Sequence, residues 1–398
     1  MPPEFITVVE AKKLIDQHTQ LLSPLKVDLK NAAGLVLADD VFSKTDVPPF
    51  NQSSMDGYAF NFDTWKKFGQ LKIVGTIAAG LTENQHLEPQ HAARIFTGAA
   101  IPEGADTVVM QEKVKINEGL LIIEDDNLVR GLNFRLKGSE ILLGELALEK
   151  NSILTPAASG FLAGVGIQEL HVYPNPSVSI IITGNELQPP GMPLEHGQVY
   201  ESNSFALSAA LAEIGITEVN ILYSEDTLNT LIIVLAEALA KSDVVLLTGG
   251  VSVGDYDFVI RAAEANAIEQ IFHKIKQKPG KPLYFGKKDS KSIFGLPGNP
   301  ASVLSCFYEY VRPSLGKMTM RETGLKKMNV PLKNSLKKPF GLTQFLKGYY
   351  DGSSVRNLNA QESFRLSSFA KANCLIQLEE EKTEFQENDI VEIHLLPG

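Results

Sequence analysis

Three short apolar runs, each ending in a glycine-bearing loop and followed by a helical pattern, constrain this chain more than any other feature. Val178–Ile182 runs into Thr183-Gly184-Asn185-Glu186, and Val244–Leu247 into Thr248-Gly249-Gly250-Val251-Ser252-Val253-Gly254-Asp255-Tyr256-Asp257. Ser292–Phe294 runs into Gly295-Leu296-Pro297-Gly298-Asn299-Pro300. Strands expected at 178–183, 219–223, 244–248 and 292–295 alternate with helices expected at 203–214, 227–241, 256–265 and 300–312. That alternation predicts an α/β fold with a parallel, doubly wound sheet over 175–325. Ligands of such sheets bind beyond the carboxyl ends of the strands, so these loops should converge on one site.

The remaining chain reads differently. A helix is expected at 7–22, with apolar Val8, Leu14, Ile15, Leu21 and Leu22 among polar residues. Residues 46–145 carry short β-patterned runs separated by turns and predict an inserted, mostly-β domain. A helix returns over 151–170, with Pro156 near its first turn. From 326 the pattern is β again, which predicts a small C-terminal β-barrel-like domain. The expected domains are 1–45 plus 146–174 (an N-terminal α/β linker domain), 46–145, 175–325 and 326–398. A chain of 398 residues exceeds one ordinary core, in keeping with several domains.

A net charge of -10 argues against a general nucleic-acid binder, which needs a basic face. Cys306 and Cys374 belong to no CxxC or Cys/His cluster, so neither zinc nor iron–sulfur is expected. Two isolated cysteines suit a reducing compartment. The residues from Met1 to Phe5 lack the start of a signal peptide, and no run of eighteen apolar residues predicts a membrane span. A cytoplasmic enzyme is the expectation.

The loops carry the chemistry. Gly249, Gly250 and Gly254 let backbone N–H groups approach an anion, and Ser252 adds a hydroxyl. Asp255 or Asp257 could cap the helix near 256; one cap leaves the other acid for a cation or for tuned chemistry. Glu186, Asp226 and Asp257 follow strands of one sheet. Clustered carboxylates without histidine or thiolate point to a hard cation such as Mg²⁺. The bland alternative for Asp226 or Glu225 is an N-cap. Four lysines lie within 274–281. If 271–278 is extended, Lys274, Lys276 and Lys278 share one face, either to bind an anion or as a solvated edge strand. Pro297-Gly298-Asn299-Pro300 is a rigid turn whose Asn299 could cap the next helix. Asp56-Gly57 alone reads as a turn.

Together these segments resemble the molybdopterin molybdenumtransferases, the family of bacterial MoeA, the plant insertase E domains and the gephyrin E domain. The resemblance runs over nearly the whole chain. It is carried by Ser54-Met55-Asp56-Gly57-Tyr58-Ala59, Arg94-Ile95-Phe96-Thr97-Gly98-Ala99, Ala105–Glu112, Thr183–Leu187, Thr248–Gly254, Lys278-Pro279-Gly280-Lys281-Pro282 and Gly295–Pro300. It implies a cytoplasmic, four-domain homodimer that works in molybdenum cofactor biosynthesis, with sites at the subunit interface. The implied substrates are molybdate and adenylylated molybdopterin (molybdopterin-AMP). A Mg²⁺-dependent step would release AMP and molybdenum cofactor. Implied transfer partners are an adenylyltransferase and apo-molybdoenzymes or their chaperones; no nucleic acid or membrane is implied. The family's functional acids fall on Asp56, Glu186, Asp226 and Asp257, with Glu186, Asp226 and Asp257 implied for Mg²⁺. Its threonine falls on Thr97, its anion-binding lysines on Lys274 and Lys278, its arginine on Arg135, and its C-terminal serine on Ser363. Lys281, Gly249, Gly250, Ser252, Gly254, Pro297, Gly298 and Asn299 complete the implied ligand-binding set.

Three positions depart from the family pattern. Glu362 stands where glycine is usual, and strain is expected there if the backbone has positive φ. Asn185 replaces one carboxylate of the Gly184–Leu187 motif, and Ser139-Glu140 replaces a Glu-Asp pair. Two other readings remain at this stage. One is the related adenylyltransferase, against which the extra β regions count. The other is a binding scaffold, which would not need the retained acids and lysines.

Overall fold

The computed structural model describes residues 5–81, 85–250 and 258–398. They form two compact units. One comprises the N-terminal segment through Leu25, Gly34–Val36 and Tyr173–Gly398; the other comprises Lys26–Ala33 and Leu37–Val172. No described helix is long and apolar enough to cross a membrane.

The first unit contains the expected α/β sheet. Its strand order is Val219–Ser224, Val178–Thr183, Val244–Thr248, Lys291–Leu296, Tyr284–Lys288, Glu269–His273. The first four strands are parallel. The last two run antiparallel, where the sequence predicts only parallel strands. Tyr284–Lys288 and Lys291–Leu296 are joined across Asp289-Ser290, with Asp289 at φ 54. So short a connection can close only an antiparallel hairpin.

Val178–Thr183 and Val244–Thr248 are buried throughout, as strands covered on both faces must be. Alternate residues feed two cores. Ile180, Ile182, Leu246 and Phe294 pack on one face with Leu207 and Leu211 of the helix Asn203–Ala212. Ile181, Val245, Leu247 and Ile293 pack on the other with Leu231 and Leu235 of the helix Leu228–Lys241. Helices on both faces make the sheet doubly wound.

The helix expected at 300–312 is interrupted. Pro300–Cys306 is α-helical, Phe307–Val311 forms a buried π-helical turn, and α-helix resumes over Arg312–Met318. Within that turn Glu309 meets Lys12 and the buried His394. Burial alone would raise the Glu309 carboxyl; bonds from His394 and the charge of Lys12 overcome it and hold it below its ordinary range.

The C-terminal β region also lies in this first unit. Its sheet runs Thr343–Tyr350, Cys374–Leu378, Ile390–Leu395, Lys326–Pro331, around a core of Val330, Ile376, Val391 and Ile393. One edge is a short strand from the α/β segment, Gln277–Lys278, parallel to Thr343–Gln344.

The second unit is built on a mixed six-stranded sheet: Thr107–Met110, Gly57–Phe60, His91–Ile95, Gln70–Ile77, Leu120–Ile123, Val114–Asn117. Its helix Pro156–Gly164 starts with Pro156 in the first turn, behind Thr155, whose hydroxyl accepts the Ala158 N–H.

Candidate functional site

At the carboxyl ends of the parallel strands the first unit holds a cleft of about 910 Å³. All three predicted loops reach it: Gly184 and Glu186 from the first, Gly249 and Gly250 from the second, Pro297 to Pro300 from the third. The loops fit because they lack side chains where they meet. A Cβ on Gly249 would lie 2.7 Å from the Thr183 hydroxyl and 2.9 Å from the Thr183 carbonyl; one on Gly298 would touch the Gly249 Cα at 3.6 Å. Ser252, Gly254, Asp255 and Asp257 fall outside the described residues.

Glu186 and Asp226 both line the cleft. Neither carboxylate has an ion-pair partner among the described residues. Asp226 is not the helix cap; Thr227 is, its hydroxyl accepting the Thr230 N–H at 3.3 Å. The amide at Asn185 links the two acidic loops, its Oδ1 accepting the Asp226 backbone N–H at 3.2 Å. Two unpaired carboxylates with only oxygen donors suit a hard cation. Among the described residues no three His, Cys, Asp or Glu side chains gather to hold a metal, so a full set requires Asp257.

The lysine face predicted for an extended 271–278 does not form. The strand ends at His273, and Lys274 takes φ 79, which breaks the alternation. Lys276 turns to Glu380 at 3.2 Å. Lys278 and Lys281 line the cleft instead, on either side of Pro279-Gly280. Lys274 and Lys281 lie 5.6 and 4.5 Å from the ring centroid of Phe5.

Asn299 does not cap its helix through its side chain. Its Nδ2 donates to the Ser363 hydroxyl at 2.9 Å, while the Ala301 N–H donates to the Ser363 carbonyl at 3.0 Å. This brings Ser363 into the cleft. The Ser363 loop is held from behind by Lys347, 3% exposed, which donates to the carbonyls of Ala360, Glu362 and Arg365 at 2.7, 3.2 and 3.1 Å. Glu362 is not strained: positive φ falls on Ala360, at 64°. The Glu362 carboxylate pairs with Arg365 at 3.1 Å and does not line the cleft.

Sequence reasoning missed several cleft residues. Buried Glu201 accepts the Ser204 N–H at 2.8 Å and the Ser204 hydroxyl, fixing the start of the helix Asn203–Ala212. Asn203 donates to the Gly298 carbonyl at 3.0 Å, tying that helix to the third loop. The Glu-Ser-Asn-Ser run before an apolar helix was the available signal.

The second unit holds Asp56, Thr97 and Arg135. Asp56 Oδ1 accepts both the Thr97 backbone N–H and the Thr97 hydroxyl, each at 2.8 Å. These bonds, the backbone one foremost, hold the Asp56 carboxyl below its ordinary range. Gly57 is obligatory beside it, since a Cβ there would sit 1.9 Å from the Val109 carbonyl oxygen. Arg135 is exposed on Phe134–Arg135, paired with Gln52–Ser53.

Comparison with known proteins covers the chain. Residues 6–166 match the MoeA N-terminal region (domain I and II), 179–317 a probable molybdopterin binding domain, and 329–396 the MoeA C-terminal region (domain IV). A molybdopterin molybdenumtransferase of Haemophilus influenzae is 34% identical over 404 residues, spanning 98% of this chain and 100% of that protein. One from Staphylococcus aureus is 32% identical over 401 residues, spanning 98% and 95%. Two solved molybdopterin biosynthesis MoeA structures from Pyrococcus horikoshii are similar. Their TM-scores are 0.82 and 0.75 at 30% and 28% identity, covering 99% and 98% of this chain and 100% of each of those chains. The chain belongs to the molybdopterin molybdenumtransferase (MoeA) family.

Proposed function

We propose that this transferase of molybdenum cofactor biosynthesis inserts molybdate into adenylylated molybdopterin, releasing AMP. One observation carries the reading: a single cleft unites glycine-bearing loops, two unpaired carboxylates and two lysines. The loops at 249–250 and 297–300 offer backbone approach to phosphate groups. Lys278 and Lys281 hold anionic substrate, the molybdate or the pterin phosphate, as point charges. Ser363, fixed by Asn299, closes the far side with a hydroxyl.

Glu186 and Asp226, with Asp257, are the residues that would hold Mg²⁺, which supplies charge neutralisation beside a pyrophosphate. Asp56 serves as a fixed carboxylate acceptor for a substrate donor or water, with Thr97 setting its orientation. In a homodimer, Asp56 and Thr97 come from the partner subunit. Cytoplasmic location and hand-over to apo-enzymes complete the proposal.

The test is AMP release from molybdopterin-AMP with Mg²⁺ and molybdate, for wild type, Glu186→Gln and Asp226→Asn. Molybdate-dependent release that both substitutions abolish supports the reading. Molybdopterin-AMP that binds wild-type enzyme and stays intact refutes it. Mixing Asp56→Ala with Asp226→Asn subunits tests the shared site: restored activity in mixed dimers supports it, and none speaks against it.

A further inference from the structure

The turn that carries Lys278 and Lys281 is held from below by two side chains the chemistry does not use. Gln277 and Tyr310 are each 1% exposed. Gln277 Nε2 donates to the carbonyls of Pro279 and Gly280, at 3.0 and 3.1 Å. Both carbonyls lie between the two lysines. Gln277 Oε1 accepts the Tyr310 hydroxyl. That hydroxyl comes from the π-helical turn Phe307–Val311. Cys306, just before it, packs its sulfur against the same amide and turn. Gly280 has φ 88, and a Cβ there would lie 2.5 Å from Cys306 Sγ and 2.8 Å from Gln277 Nε2. The turn thus rests directly on this floor, with no side chain between.

A glutamine amide that orients by a single hydroxyl has a defined direction: its oxygen faces the phenol and its two N–H bonds face the turn. Take the hydroxyl away and the amide loses the bond that orients it. Lysine ammoniums are point charges on flexible stems, so the backbone beneath them must set where they converge. We propose that Gln277 and Tyr310 are positioning residues, which set the Lys278–Lys281 turn for capture of the oxyanion. The inference rests on the reading of the cleft as the substrate site.

A prop of this kind acts on binding of the anion in ground and transition state alike, which raises KM and spares kcat. The experiment measures molybdate binding by equilibrium dialysis, and molybdate KM and kcat by AMP release. It compares wild type, Tyr310→Phe, Gln277→Met, Lys278→Ala/Lys281→Ala, and Tyr310→Phe in that lysine-free background. Tyr310→Phe should weaken molybdate binding and raise KM about five- to tenfold, with kcat within about twofold. Gln277→Met should do the same or more, and provides the test if Tyr310→Phe does not fold. In the lysine-free background Tyr310→Phe should have no further effect, because the phenol acts through the lysines.

Unchanged affinity in both folded single variants overturns the proposal. So does an equal loss with and without the lysines, which marks a structural role only. If the lysine-free enzyme binds molybdate as wild type does, the cleft reading itself fails and takes the proposal with it.

Discussion

The cleft of the α/β unit and the Asp56–Thr97 corner of the β unit present carboxylates under opposite conditions. In the corner, one oxygen already accepts two hydrogen bonds from the same threonine, and the acid is ionised and oriented without help. In the cleft, Glu186 and Asp226 have no ion partner among the described residues, while the frame behind them is densely bonded. The difference teaches where a ligand is needed. The corner is preset by its own chain. The cleft holds like charges that repel until a cation or a bound group completes them.

The largest expected effect breaks the cleft side. Glu186→Gln and Asp226→Asn should each lower AMP release about a hundredfold or more. Thermal melts without metal should show equal or slightly higher stability, because repulsion is relieved. A marked loss of stability would mean that these acids are structural. Lys347→Met tests the frame: it leaves three carbonyls without their donor and should lower unfolding free energy by about 2–4 kcal/mol in urea titrations. Gly280→Ala should cost about 1–3 kcal/mol, from the positive φ and the collision with Cys306 and Gln277.

Thr97→Ala sharpens the corner side. Losing the hydroxyl bond should move the Asp56 carboxyl upward, toward its ordinary value of 3.8, in an NMR titration. The sign follows from linkage. A carboxyl whose folded value is depressed contributes stability above that ordinary value and loses it as pH falls through the folded value. Stability at neutral pH should therefore change little, with the variant diverging only in acid. The smallest effect is expected for Glu362→Gly. It removes one exposed ion pair with Arg365 and should shift stability by about 0.5 kcal/mol or less.

Much of the α/β unit was legible because its central strands are continuous apolar runs bounded by glycine loops. Val178–Thr183 and Val244–Thr248 have the expected limits. Strand direction was less legible: a run such as Tyr284–Lys288 does not announce whether its neighbour is antiparallel until the two-residue turn is seen. The lysine face failed for a local reason, since one left-handed residue, Lys274, ends the alternation on which it depended. The cleft loops, Glu186, Asp226, Lys278 and Lys281 could be read from loops that follow strands. Lys347, Glu201 and Asn203 could not be placed so easily, because their partners are settled by packing. Asn203, for one, reaches across 95 residues to Gly298. The buried Cys306 thiol, pushed up to about 12 by burial, is likewise a core group, as its place among Leu304 and Phe307 suggested.

The π-helical turn at Phe307–Val311 has a further consequence for how this chain can change in length. Such a turn is equivalent to one residue added to an α-helix. Deleting one residue there would restore regular winding and shorten the segment by about 1.5 Å, but would rotate all that follows by about 100°. Tyr310 and Glu309 could then no longer both face their partners, and Arg312–Met318 would present another side to the core. The helix thus behaves as a reading frame: substitutions within it can be absorbed one at a time, whereas a single deletion would displace the floor of the lysine turn and the buried His394 contact together.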